Sequence, residues 1–206
     1  EYDYRCFELD NLAMTVESDQ CKTRYPIILI HGVGFRDRRF FNYWGRIPRE
    51  LIRRGATVYY GNQEAWGTIE YNAADIRDKI FTVMDETGCE KVNLIAHSKG
   101  GLDARYMISA LNMGEYVASC TMVSSPHRGC KFIDKAMKMP EGIYQLISRI
   151  VNRAFRKFGD HNPDFYTACR QFTTGFCEEF NANNQDDPRV YYQSYASVMK
   201  SMFSDI

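Results

Sequence analysis

The stretch Leu94-Ile95-Ala96-His97-Ser98-Lys99-Gly100-Gly101 decides the reading of this chain. A short apolar run precedes and enters it (Val92, Leu94, Ile95), and an amphipathic run follows (Leu102, Tyr106, Met107, Ala110, Leu111). Strand, single serine, helix is the context that a small-x-Ser-x-Gly elbow requires. The elbow strains the backbone at Ser98 and needs small residues two positions to either side, here Ala96 and Gly100, so that strand and helix can approach. Oγ is then left exposed at the top of a parallel sheet, beside the positive end of a helix that favours an anionic intermediate. A serine that only caps a helix is the plain alternative. The strand, the Gly-Gly pair and the helix together favour a nucleophile.

A second segment supports that choice. Pro26-Ile27-Ile28-Leu29-Ile30-His31-Gly32-Val33-Gly34-Phe35 reads as a buried strand running into a glycine loop. In α/β-hydrolases such a loop supplies one backbone N–H of an oxyanion hole, and the residue after the nucleophile supplies the other. The donors expected here are Val33 and Lys99, with glycines at 32 and 34 letting the backbone turn.

Composition is consistent with one catalytic domain over 1–206. The 206 residues are 45% apolar and carry 26 basic against 26 acidic side chains, so no polyanion such as nucleic acid is implied as a partner. No apolar run approaches the length of a transmembrane helix. Glu1 opens without the basic and apolar regions of a signal peptide, which a mature or trimmed chain would equally show. Seven cysteines (6, 21, 89, 120, 130, 169, 177) show no zinc-ligand spacing. Cys6 and Cys21 are close enough in sequence to bridge an N-terminal hairpin, and Cys120 falls in a strand expected to be buried.

Strand and helix alternate along the chain, which predicts a mostly parallel sheet wound by helices. Strands are expected at 26–31, 56–60, 117–123 and 190–195 besides the one before Ser98. Helices are expected near 42–54, closed by Gly55, from Thr68 to Gly88, and after Ser98. Residues 130–188 break the alternation as an insertion. Within it Ile143, Leu146, Ile147, Ile150, Val151, Ala154, Phe155 and Phe158 share one helical face, with Arg149, Arg153, Arg156 and Lys157 mostly on the other. Such a helix packs its apolar face on the protein or lies at a lipid–water interface. A lid does each in turn.

These segments carry a resemblance. The chain is similar to the bacterial true lipases, the α/β-hydrolase group that includes foldase-dependent and calcium-binding secreted triacylglycerol lipases. The similarity runs through Ile28-Leu29-Ile30-His31-Gly32, Tyr43-Trp44-Gly45-Arg46-Ile47-Pro48, the elbow, Ser125-Pro126-His127-Arg128-Gly129, Glu179-Phe180-Asn181 and Val190-Tyr191-Tyr192, and covers roughly 25–197. It implies Ser98 as nucleophile, Val33 and Lys99 as oxyanion donors, and His31, Gly32, His97 and Gly100 in support. It also implies a lid in the segment after the Pro-His-Arg-Gly turn. Further implications are an ester or lipid substrate, no required cofactor, a structural calcium whose ligands fall downstream, and an extracellular location; a cytoplasmic one stays open.

The departure is at the C-terminus. The triad order is Ser, Asp or Glu, then His, and the positions matching the acid and base fall past Ile206. His127 and His161 are the remaining in-chain candidates for a base, and Asp205 lies too near the end to be assigned. A fragment of a longer hydrolase, a pseudoenzyme and an unorthodox dyad are the three explanations. The expected activity is triacylglycerol ester hydrolysis through an acyl-enzyme. The alternatives are a soluble short-chain esterase and a non-catalytic lipid- or partner-binding module; thioesterase and phospholipase chemistry would use the same residues.

Overall fold

The computed structural model describes residues 15–37 and 42–197. The run Ile27-Ile28-Leu29-Ile30 is buried throughout, as an interior strand of a parallel sheet requires. β1 (Ile27–Ile30), β2 (Val58–Tyr60), β3 (Val92–His97), β4 (Val117–Val123) and β5 (Tyr191–Tyr195) make one sheet in the order β2-β1-β3-β4-β5. Every pairing is parallel. Around it lie α1 (Ile47–Arg53), α2 (Ile69–Thr87), α3 (Lys99–Ser109), α4 (Lys131–Ala136), α5 (Glu141–Lys157), α6 (Phe165–Arg170) and α7 (Thr174–Asn183). This is the α/β-hydrolase arrangement expected from the sequence.

The two-residue period of a strand divides β1 between two cores. Ile28 and Ile30 pack with Leu94, Ala96, Ile76 and Met107 on one face, whereas Ile27 and Leu29 pack with Val58, Trp44 and Ile52 on the other. β3 is central: Ile30 pairs with Ala96, which in turn pairs with Met122. That register brings the ends of β1 and β3 side by side, at the C-terminal edge where open α/β sheets place their sites.

α2 begins and ends as its sequence predicts. The Thr68 side chain accepts a hydrogen bond from the Tyr71 N–H at 3.2 Å, and Gly88 closes the helix at φ 66. The helix expected near 42–54 is shorter than that. Gly45 takes φ 56, outside the helical region, and α1 starts only at Ile47 with Pro48 in its first turn, where a missing N–H costs nothing. Strands β1, β2 and β5 are also one or two residues shorter than expected. Cys120 is buried, as expected, and burial pushes its thiol up to about 12. The Cys6–Cys21 pairing and Asp205 lie outside the described residues.

The insertion divides into two parts. Asp164 caps α6 and Thr173 caps α7, accepting from Thr167 N at 3.0 Å and Phe176 N at 3.4 Å. Phe172, Cys177 and Phe180 then pack with Ile69 of α2 and Leu102 of α3. The earlier part is more exposed: α4 buries no residue fully, and α5 buries only Tyr144 and Ser148.

Because Leu94 is fully buried at the centre of the sheet, Leu94→Ala is expected to lower the unfolding free energy by about 2–5 kcal/mol in urea titrations.

Candidate active site

Ser98 joins β3 to α3 with φ 52 and ψ −126, a conformation L-residues rarely adopt. Its N–H donates to the Val123 carbonyl at 3.0 Å, so β4 holds the elbow from one side. Glycines hold it from the others. A Cβ at Gly100 would stand 2.6 and 2.7 Å from the carbonyl oxygens of His31 and Ile30, and one at Gly32 would stand 2.8 Å from the Ser98 Cβ. Only hydrogen fits at either position.

The half-buried Ser98 hydroxyl has no hydrogen-bond partner among the described residues, and neither do the backbone N–H groups of Val33 and Lys99. Each follows from geometry: Val33 sits in the loop beyond β1, and Lys99 is the first residue of α3, whose leading N–H groups have no carbonyl to reach.

Around the elbow lie residues that the sequence pattern does not reveal. The Tyr43 hydroxyl meets His97 Nδ1, and the two rings lie 5.6 Å apart. The His31 ring is wedged between the Gly32 carbonyl at 2.7 Å and the Gln63 carbonyl at 3.0 Å, while Gln63 Nε2 donates back to the His31 carbonyl. Burial pushes the His31 pKa down to about 4, and lowers that of His97 as well. His31 and His97 therefore brace the loop and the elbow.

Beneath the elbow lies a fully buried ion pair. Lys99 Nζ donates to Asp103 at 2.5 Å, and Asn72 donates to the other carboxylate oxygen at 3.0 Å. Asn72 also bonds the backbone of Glu64 in both directions. The Glu64 carboxylate in turn accepts the N–H groups of His161 and Asn162, and Asp160 accepts those of Ala65 and Trp66 with Arg36 alongside at 3.3 Å. One polar network thus ties the elbow to the segment that follows α5. Its first link, Lys99 and Asp103 at i and i+4 on a helix, is legible in sequence; the rest needs the tertiary fold.

Neither in-chain candidate for a base meets Ser98. His127, in the turn after β4, is held neutral: burial lowers its pKa to about 4, and both ring nitrogens lack hydrogen-bond partners. His161 is exposed and engaged through its backbone. No hydrogen bond joins either ring to Ser98 among the described residues. No three His, Cys, Asp or Glu side chains cluster as metal ligands among those residues either.

Residues 24–204 match the family described as Lipase (class 2). The chain belongs to the class 2 lipases. It is 33% identical over 177 residues to a triacylglycerol lipase of Pseudarthrobacter phenanthrenivorans, covering 78% of this chain and 54% of that protein. It is equally similar to a triacylglycerol lipase of Burkholderia plantarii, with 78% of this chain and 48% of that protein covered. The chain thus spans about half the length of these relatives. The fold matches the mature Bacillus licheniformis lipase BlEst2 with a TM-score of 0.65 at 21% identity, covering 87% of this chain and 67% of that one. No helix among the described residues is long and apolar enough to cross a membrane.

Two outcomes follow. Lys99→Met leaves the Asp103 carboxylate buried without its partner and should cost about 3–5 kcal/mol, most of which Lys99→Met/Asp103→Leu should recover, both read by urea unfolding. The second is a pH dependence. His31 is unprotonated in the fold down to about pH 4 but takes up a proton near pH 6.5 once unfolded, so the stability it contributes is present above about 6.5 and lost towards 4. Asp37 and Asp103, which burial raises to about 7 and about 6, shift stability in the opposite sense. The histidine is isolated by difference: His31→Asn should show a shallower fall in unfolding midpoint between about pH 6.5 and 4 than the parent.

Proposed function

We propose that the chain carries the nucleophile and the oxyanion hole of a serine carboxylic-ester hydrolase whose substrates are triacylglycerol-type lipid esters. The observation that carries this reading is the Ser98 elbow, φ 52 and ψ −126, with two unspent N–H groups, those of Val33 and Lys99, on the elements that flank it. Membership of the class 2 lipases supports the choice of ester and of lipid.

The reaction follows from that geometry. Ser98 Oγ, losing its proton to a base, attacks the ester carbonyl. The charge that develops on the carbonyl oxygen is met by the Val33 and Lys99 N–H groups, fixed in place before reaction by Gly32, Gly100 and the buried Lys99 side chain. Collapse expels the alcohol and leaves an acyl group on Oγ, and water then releases the acid. Each such donor contributes roughly 3–4 kcal/mol to the transition state in measured cases. None of the four histidines hydrogen-bonds Ser98 among the described residues, and the base is the member of the machinery still to be assigned.

We assign α5 as the core of a lid. Its apolar residues Ile143, Leu146, Ile147 and Ile150 face solvent, as does Phe158 just beyond it. Val151 and Phe155 are half-buried on the side that holds Tyr144 and Ser148. An exposed stripe of this kind is what a lid would bring to a lipid–water interface.

The decisive experiment is hydrolysis of p-nitrophenyl butyrate by the natural full-length protein. Ser98→Ala should lower kcat/KM by at least about a thousandfold while the protein stays folded by circular dichroism. Hydrolysis unchanged by that substitution overturns the reading. Running residues 1–206 alone beside it shows whether these residues contain a base.

A further inference from the structure

The charged side chains around α5 are segregated in a way that the lid reading does not explain. Residues 131–157 contain seven cations, three lysines at 131, 135 and 138 and then Arg149, Arg153, Arg156 and Lys157, against two acids, in a chain that is neutral overall. All seven cations are exposed, and none forms an ion pair among the described residues. The two acids are engaged elsewhere: Asp134 accepts both the N–H and the hydroxyl of Thr174 at 2.9 Å, and Glu141 accepts from Gln145 at 3.0 Å.

On α5 the placement is geometric. Ile143, Leu146, Ile147 and Ile150 stand at i, i+3, i+4 and i+7 and form one stripe. The residues that α5 buries, Tyr144 and Ser148, lie on one flank of this stripe, and Arg149, Arg153 and Arg156 lie beyond the other. The helix therefore has three faces. One holds it to the protein, one is basic, and the apolar face between them is 37–62% exposed at those four residues. On α4, Phe132 adds a further apolar side chain, 73% exposed, among three lysines. An apolar stripe next to long cationic side chains suits hydrocarbon with anionic headgroups, the stems lying along the boundary while the charges reach phosphate.

We propose that residues 131–158 form a docking surface for anionic lipid, so that this protein engages negatively charged interfaces in preference to zwitterionic ones. This deepens the lid reading above and rests on it, since it gives the interface a sign. The apolar stripe supplies insertion, which any lipid permits; the seven unpaired cations supply the preference, each strengthened at a surface of opposite potential and weakened by salt.

The test is sedimentation of the full-length Ser98→Ala protein with vesicles, so that binding is read without hydrolysis. One set is phosphatidylcholine; the other contains phosphatidylglycerol at about one part in three. Partitioning should be at least about tenfold stronger on the second set, and that advantage should vanish at about 0.5 M sodium chloride. A variant carrying R149Q, R153Q, R156Q and K157Q together should bind both sets at the phosphatidylcholine level. Leu146→Ser/Ile150→Ser should lose binding to both, and because all six positions are solvent-facing the fold should survive, as circular dichroism checks. Equal partitioning of the parent on both sets overturns the inference. So does the absence of binding to either set, with sedimentation velocity then asking whether a second copy covers the stripe. The outcomes separate the two readings: anionic binding with an inert Ser98 ends the hydrolase proposal alone, and ester hydrolysis with equal partitioning ends this one alone.

Discussion

Everything at the candidate site depends on one close approach, that of α3 to the end of β1. The carbonyl oxygens of Ile30 and His31 lie where a Cβ of residue 100 would stand, at 2.7 and 2.6 Å. With hydrogen alone at that position the helix can start directly against the strand. Its first turn then lies beside the glycine loop, which places Val33 and Lys99 around one serine. A methyl group there would push α3 away from β1, and no local adjustment of the loop would restore the geometry, because the Val123 carbonyl fixes Ser98 from the other side. Strain at Ser98, of the order of 1–3 kcal/mol for such a conformation, persists because three strands and a helix determine its position together.

The same crowding explains a buried lysine. Once α3 is drawn against the sheet, the side chain of its first residue has no path to solvent, and Lys99 is buried with its charge. A lone ammonium in that place would be prohibitive; Asp103 one turn later neutralises it, and Asn72 occupies the second carboxylate oxygen. Satisfied in this way, the pair restricts the first turn of α3 to one position. An apolar residue could fill the same volume at lower desolvation cost, so what the ion pair adds is fixed placement rather than net stability.

How much of this is legible in sequence follows from the range of each interaction. The elbow turn, its flanking small residues, the caps at Thr68 and Gly88 and the alternation of strand and helix are encoded within a few residues, and the structure bears them out. The start of α1 is local as well, but its signal lies in a glycine dihedral that the residue type permits without requiring, so the helix reads too long. Tyr43, Gln63 and Asn72 act across 31 to 54 residues of sequence, and nothing near them marks their partners. The face of α5 is the instructive case. Its periodicity gives a helix and an apolar side correctly, yet periodicity cannot say whether that side meets the body or solvent, since both demand the same spacing.

The two ends of α5 are held very differently, and this bears on how an exposed apolar stripe is tolerated. At its C-terminal end Gly159 takes φ 96 and turns the chain sharply, after which Asp160 and Glu64 collect four backbone N–H groups between them. Carboxylates bonded in this way are strong local anchors, and burial keeps Asp160 away from competing water. The N-terminal end starts at Pro140 with no side-chain cap, after an α4 that buries nothing fully. Free energy of opening is graded across a structure by such differences in buried contact, which makes the 131–140 end the looser one. The anchored end belongs to the polar network that reaches Lys99, so the exposed stripe and the first turn of α3 are tied to one common reference.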